Sequence, residues 1–216
     1  MKNESKKRLI LGAGMLVLFV LWTVLITFVD VQPIGPENSA VVFATANGWF
    51  HQLVGVNMAL YTVTDWLGLI PIAVMLGFAL FGLYQWIRRK GLQNVDFSIL
   101  VLGGAYVLTF AVYALFEVVV INYRPVLIEG ILEASYPSST TLLTLCVMPT
   151  AMHQLGLRIQ NPTVKKLTLW ILGLFTAFMV IGRVISGVHW LSDIIGGILF
   201  SAALISLYTA LCGLET

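Results

Sequence analysis

Apolar residues along this chain fall into six long blocks, roughly 9–29, 62–87, 97–121, 139–157, 166–185 and 190–212, parted by short polar or turn-forming segments. Each is close to the length of about 20 residues that a helix needs to cross hydrocarbon. Lipid offers the backbone no hydrogen-bond partners, so every block is predicted as an α-helix. The longest connection on one side, 30–61, opens on the turn-rich Val31-Gln32-Pro33-Ile34-Gly35-Pro36. Within it, 38–56 reads as an interfacial amphipathic helix bearing Trp49, Phe50 and His51. The expected fold is all-α, an integral membrane bundle of six transmembrane helices forming one membrane-embedded domain over 1–216. No repeat or low-complexity tract divides it.

Composition sharpens that picture. The chain is 59% hydrophobic and 10% charged, too little polar surface for a water-soluble domain of this size. Lys6, Lys7 and Arg8 precede the first block as in a signal peptide. The block is too long for a signal's apolar core, and Thr27-Phe28-Val29-Asp30 lacks a small-residue cleavage pattern, so an uncleaved anchor is expected. Cys146 and Cys212 lie inside blocks, which argues against a disulfide framework or a metal cluster. A net charge of +2, with basic residues at block ends, argues against nucleic acid as a partner.

Charge placement predicts topology. Lys2, Lys6, Lys7 and Arg8, then Arg88, Arg89 and Lys90, then Arg158, Lys165 and Lys166 occupy alternate ends of the blocks. The positive-inside rule puts all of them, and both termini, in the cytoplasm of a plasma or inner membrane. Arg124 and Arg183 remain for the extracytoplasmic face.

Three outer segments carry polar groups that a bundle does not need. Gly182 to Asp193 joins the last two blocks and contains Arg183, His189 and Asp193; ionisable residues beside hydrocarbon are a functional signal. If the segment from Gly187 onward is helical, His189 and Asp193 share one face, and the carboxylate holds one ring nitrogen while the other stays free. Asn122-Tyr123-Arg124-Pro125 ends the third block. Tyr136-Pro137-Ser138-Ser139-Thr140-Thr141 opens the fourth, and a helix start of this kind offers free N–H groups to phosphate. Two guanidinium groups, a helix N-terminus and an oriented imidazole make a phosphate site with a nucleophile.

These residues resemble the type-2 phosphatidic acid phosphatase superfamily of integral membrane lipid phosphatases, in order and spacing, over almost the whole chain. That family's motifs are Lys-x6-Arg-Pro, Pro-Ser-Gly-His and Ser-Arg-x5-His-x3-Asp. The resemblance implies that His189 is a nucleophile forming a phosphohistidine and that Asp193 orients it. It implies that Arg124, Arg183 and the Ser138–Ser139 segment hold phosphate, that the substrate is a lipid phosphate or diphosphate within the bilayer, and that no metal or cofactor takes part. It says nothing of oligomeric state.

Three positions depart from the motifs. Glu117 stands for the first lysine, Thr140 for the histidine that protonates the leaving group, and Gly182 for the serine before the third-motif arginine. A missing general acid costs about 10²–10⁴-fold. That loss matters for a glycerolipid alkoxide and little for a departing phosphate, whose second pKa is roughly 6. A prenyl diphosphate, such as an undecaprenyl diphosphate, is therefore the expected substrate ahead of phosphatidic acid. For Glu117 two roles stand open: an ion pair with Arg124 or Arg183, or proton donation to the leaving group. His51 is a second stand-in for the absent histidine, Asp65 reads as a polar contact, and His153 lies toward the opposite face. The competing function is a lipid-phosphate binder without turnover. A small transporter fits less well, because the ionisable residues cluster at one face rather than along a path.

Overall fold

The computed structural model describes residues 2–214. The ends of the expected 1–216 domain, Met1, Glu215 and Thr216, lie outside the described residues. Among the described residues eight α-helices follow one another: α1 Lys2–Phe28, α2 Ala44–Val54, α3 Met58–Leu67, α4 Leu69–Arg89, α5 Phe97–Val118, α6 Ser139–Arg158, α7 Pro162–Ser186 and α8 Leu191–Cys212. No strand occurs among the described residues, only three isolated β-bridges.

Among the described residues five stretches are long and apolar enough to cross a membrane: Asn3–Phe28, Met58–Arg89, Phe97–Val118, Pro162–Ser186 and Leu191–Cys212. The sixth expected span, 139–157, does form a helix, α6, but its composition falls short. Its inward positions carry Thr140, Thr141, Thr144, Thr150 and Gln154, all buried. The reason is its place: α6 packs against α4, α5, α7 and α8, so it faces protein where the outer helices face lipid. Large apolar side chains stay exposed along the others, such as Leu21 and Val24 on α1, Leu80 on α4, Val107 and Phe110 on α5, and Trp170 and Leu174 on α7, as lipid-facing surfaces require.

The second block, expected unbroken over 62–87, is interrupted at Gly68, which parts α3 from α4. Pro71 explains the interruption, since it has no N–H to give the carbonyl four residues earlier, that of Leu67. The expected interfacial helix over 38–56 is shorter, beginning at Ala44 after a left-handed Phe43. It is tied down rather than free: buried Asn47 donates to the Val42 carbonyl (2.7 Å) and to Ser192 Oγ (2.9 Å), and accepts from Ser192 N (3.1 Å).

Opposite ends of the bundle differ in chemistry. At one, Asp96 binds Arg89 (2.7 Å) and Arg158 (3.0 Å), locking the α4–α5 turn to α6. At the other meet the C-termini of α1, α5 and α7, the N-termini of α6 and α8, and the whole of α2 and α3. Between α5 and α6 the chain doubles back on itself. Arg124 N donates to Glu133 O (3.0 Å), Ser135 N to Asn122 O (2.9 Å), and Tyr123 pairs with Ala134. Two-residue alternation on such a ribbon puts Asn122 and Arg124, with Ser135 and Glu133 across from them, on one face. That face points into the bundle end.

Candidate active site

Asp193 is the anchor. It sits in the first turn of α8, fully buried, where the helix dipole favours a carboxylate. Four donors fill its acceptor positions: Asn122 Nδ2 (3.0 Å) and Ser192 Oγ (3.3 Å) on Oδ1, Ser135 Oγ (2.5 Å) and Trp190 N (3.0 Å) on Oδ2. The expected direct contact with His189 is not made, for Nδ1 stands 4.0 Å from Oδ2. The Ser135 hydroxyl lies between them, 3.0 Å from His189 Nδ1. The reason is local backbone. α7 ends at Gly187 in the left-handed region (φ 66°) and α8 begins only at Leu191, so His189 lies in a loop and shares no helical face with Asp193. Gly187 is required there, since a Cβ would stand 1.8 Å from the Gly55 carbonyl.

This arrangement sets the tautomer. Ser135 donates its one proton to the carboxylate and so accepts from His189 Nδ1–H. Nε2 then carries the lone pair, and it faces Arg124 Nη1 at 3.3 Å, a group that can only donate. Both ends of the ring give the same assignment. The imidazole is held with its lone-pair nitrogen against a cation.

The second arginine arrives from α7. Arg183 Nη1 donates to Thr64 Oγ1 (3.3 Å) and Nη2 contacts Asp65 Oδ1 (3.4 Å). Both guanidinium groups stand over the Tyr61 ring, Arg183 at 4.8 Å and Arg124 at 5.8 Å from its centroid. Arg124 Nε lies 3.0 Å from Glu133 Oε2, off the line of its N–H. Neither buried Nε has a hydrogen-bond partner. Two arginines on one aromatic ring, each with an unclaimed N–H, are suited to a tetrahedral oxyanion. Beside Arg124 opens a polar pocket of about 430 Å³, also lined by Tyr113, Glu117, Glu133 and Ser139.

Other expected site residues are sorted by these contacts. Ser139 faces the pocket. Ser138 turns away, bonding Thr141 Oγ1 (3.0 Å) and donating its N–H to the Asp193 carbonyl (3.2 Å). Thr140 is buried against the α3–α4 junction, its methyl 3.7 Å from where a Cβ on Gly68 would stand. Glu117 lines the pocket but makes no ion pair among the described residues. The pairs expected for it are taken by Glu133 on Arg124 and Asp65 on Arg183, which lie closer in the fold. The His51 ring lies tilted, 5.4 Å from that of Trp190, and bonds the Gly187 backbone, so α2 covers the loop that carries His189. His153 sits with Tyr208 (3.4 Å). The sequence reading missed Ser135, Glu133, Tyr61 and Thr64. Nothing in their spacing marks them, because the ribbon and the α3 helix bring them in from separate stretches.

The electrostatics carry a prediction. Burial first, and then the charges of Arg124 and Arg183, pull the His189 pKa well below the 6.5 of a free imidazole. The ring stays neutral through that pH, so any phosphate release that needs its free lone pair is expected to keep its acid limb of kcat/KM below pH 6.5, measured as rate against pH. The unfolded chain takes up the proton near pH 6.5 and the folded one does not. This group's share of stability is therefore lost as pH falls below 6.5.

A family model described as the PAP2 superfamily matches residues 70–213. In three dimensions the chain is similar to the crystal structure of a transmembrane PAP2-type phosphatidylglycerolphosphate phosphatase from Bacillus subtilis. The TM-score is 0.59 at 19% identity, over 95% of this chain and 96% of that one, a likeness of fold. No curated protein matches the sequence.

Proposed function

The chain belongs to the PAP2 superfamily, and on that premise we propose that it is a membrane lipid phosphatase in which His189 is the nucleophile. The observation that carries this reading is the relay Asp193–Ser135–His189, which leaves Nε2 unprotonated beside Arg124. In the proposed reaction Arg124 and Arg183 hold the phosphoryl oxygens. Nε2 attacks phosphorus, the P–O bond to the leaving group breaks, and the phosphohistidine's positive ring is stabilised by Asp193 through Ser135. Water then cleaves the P–N bond, releasing phosphate.

The topology proposed with it has six crossings: α1, α3 with α4, α5, α6, α7 and α8. Lys6, Lys7, Arg8, Arg88, Arg89, Lys90, Arg158, Lys165 and Lys166 lie at the end away from His189. That supports cytoplasmic termini and a site on the extracytoplasmic face of the plasma or inner membrane. The lipid tail enters sideways, since the substrate resides in the bilayer.

A prenyl diphosphate, such as an undecaprenyl diphosphate, is the proposed preferred substrate. Thr140 packs against the α3–α4 junction and offers no acid, and a departing phosphate needs none. The test is phosphate release by purified protein from prenyl diphosphate, phosphatidic acid and phosphatidylglycerophosphate, with His189→Ala as control. Equal or faster release from phosphatidic acid removes the diphosphate preference. Lipid binding without release establishes the non-catalytic reading.

Glu117 supplies a further prediction. Glu117→Lys replaces a negative charge in the pocket by a positive one. Exposed charge interactions reach about 1 kcal/mol, so KM is expected to fall roughly fivefold. As a proton donor Glu117 would instead be needed for turnover. Glu117→Gln would then lower kcat about 10²-fold on phosphatidic acid, and an unchanged rate excludes that role.

A further inference from the structure

Each arginine of the site is held by a carboxylate that faces water. Glu133, 40% exposed, is 3.0 Å from Arg124, itself 9% exposed; Asp65, 54% exposed, is 3.4 Å from Arg183, itself 1% exposed. Both carboxylates can swing into water, whereas the guanidinium groups are fixed by burial, by Tyr61 and by Thr64. Neither is part of a motif quoted above, and Asp65 lies outside the residues matched by the family model. Among these four side chains the two cations are matched by two anions, while the buried Asp193 carboxylate is committed to Ser135, Asn122 and Ser192.

We propose that Glu133 and Asp65 are specificity-determining residues: they compete with substrate oxygens for Arg124 and Arg183, and so select a doubly charged phosphate end over the singly charged phosphodiester headgroups of the bilayer. This rests on the phosphate site argued above. The physical reason is charge balance in a buried place. A dianion displaces both carboxylates and leaves the two arginines neutralised. A monoanion that displaces both leaves one buried cation without a counter-charge, which is costly. If it displaces only one, it gains one arginine and loses the clamp between the two. The surrounding membrane presents phosphodiesters in excess, so a site accepting them would be filled by the solvent itself.

Removing one carboxylate changes the rule. With Glu133→Gln or Asp65→Asn the two arginines keep one counter-charge, and a monoanion then completes neutrality. The experiment measures equilibrium binding of two short-chain lipids, a phosphatidic acid and a phosphatidylglycerol, to the detergent-purified full chain. All forms carry His189→Ala, so that nothing is turned over. The parent is expected to favour the monoester by tenfold or more. Each variant is expected to lower that ratio about tenfold, and the charge-keeping Glu133→Asp and Asp65→Glu to restore most of it. A ratio unchanged in both neutral variants overturns the proposal while leaving the phosphate site intact. Failure of the parent to bind either lipid overturns the site and this proposal together. The two carboxylates sit on separate elements, α3 and the ribbon, so a folding defect in one variant leaves the other as a full test.

Discussion

His189→Ala is expected to lower phosphate release by at least about 10⁴-fold, with every lipid tried, while lipid binding persists. The size follows from what the residue does in the proposed reaction. It makes the bond to phosphorus, and among the described residues no other nucleophilic side chain is hydrogen-bonded to Arg124 Nη1. Water in its place would lack both the pre-set position and the lone pair directed at phosphorus, an advantage worth about 7–11 kcal/mol for a well-oriented group. The alanine leaves the two arginines and their carboxylates in place, so substrate affinity should change little. The ring is buried, and its removal leaves a hole beside Trp190 and Ser135 that costs some stability. A melting temperature for the purified variant separates that loss from the chemical one. Phosphate release within tenfold of the parent would remove His189 from the nucleophile's role.

Much of the scaffold was legible in the sequence because a membrane imposes one rule on every residue. Apolar blocks gave the positions of α5, α7 and α8 and the end of α1 to within a few residues, since lipid-facing helices must be apolar along their length; α1 itself begins earlier, at Lys2, in a polar stretch that hydropathy does not mark. The rule weakens where a helix faces protein. α6 forms where expected, yet its threonines and Gln154 belong to a buried polar interior. The break at Gly68 was readable in principle from Pro71. Arg124, Arg183, His189 and Asp193 are ionisable residues beside hydrocarbon, a rare combination with few uses, and three of them converge at His189 or its relay. Ser135 was not legible. A serine in a loop is common, and its role comes from a ribbon register that pairs it with Asn122 across the turn. Helical spacing alone misled in one respect, by suggesting that Asp193 touches His189 directly when the helix starts two residues later.

Asp193→Asn is expected to be the second most damaging change, about 10⁴-fold in kcat, and Ser135→Ala to cost about 10²-fold with KM nearly unchanged. The damage depends on which groups in the network can reverse. The Trp190 backbone N–H donates to Oδ2, and a backbone N–H cannot accept. On the Oδ1 side Asn122 donates its amide, and it cannot turn over because its own Oδ1 accepts Val42 N (3.0 Å). An asparagine at 193 therefore sets its NH2 against a donor whichever way it points. With NH2 on the Oδ2 side, Ser135 must accept from it and donate to His189 Nδ1. That puts the ring proton on Nε2 and removes the lone pair from the attacking nitrogen. A tautomer error of this kind costs about 10⁴-fold in the analogous aspartate-to-asparagine change of a hydrolase triad. With NH2 on the Oδ1 side the tautomer survives but a buried donor–donor clash remains, costing about 1–3 kcal/mol of stability. Ser135→Ala keeps the carboxylate and its other three donors. The ring then keeps an electrostatic partner at 4.0 Å without a hydrogen bond to orient it. The two variants are thus ordered by mechanism: if Asp193 acts through Ser135, the double variant should be no slower than Asp193→Asn alone. Losses that multiply instead would show that the carboxylate reaches the imidazole by another path.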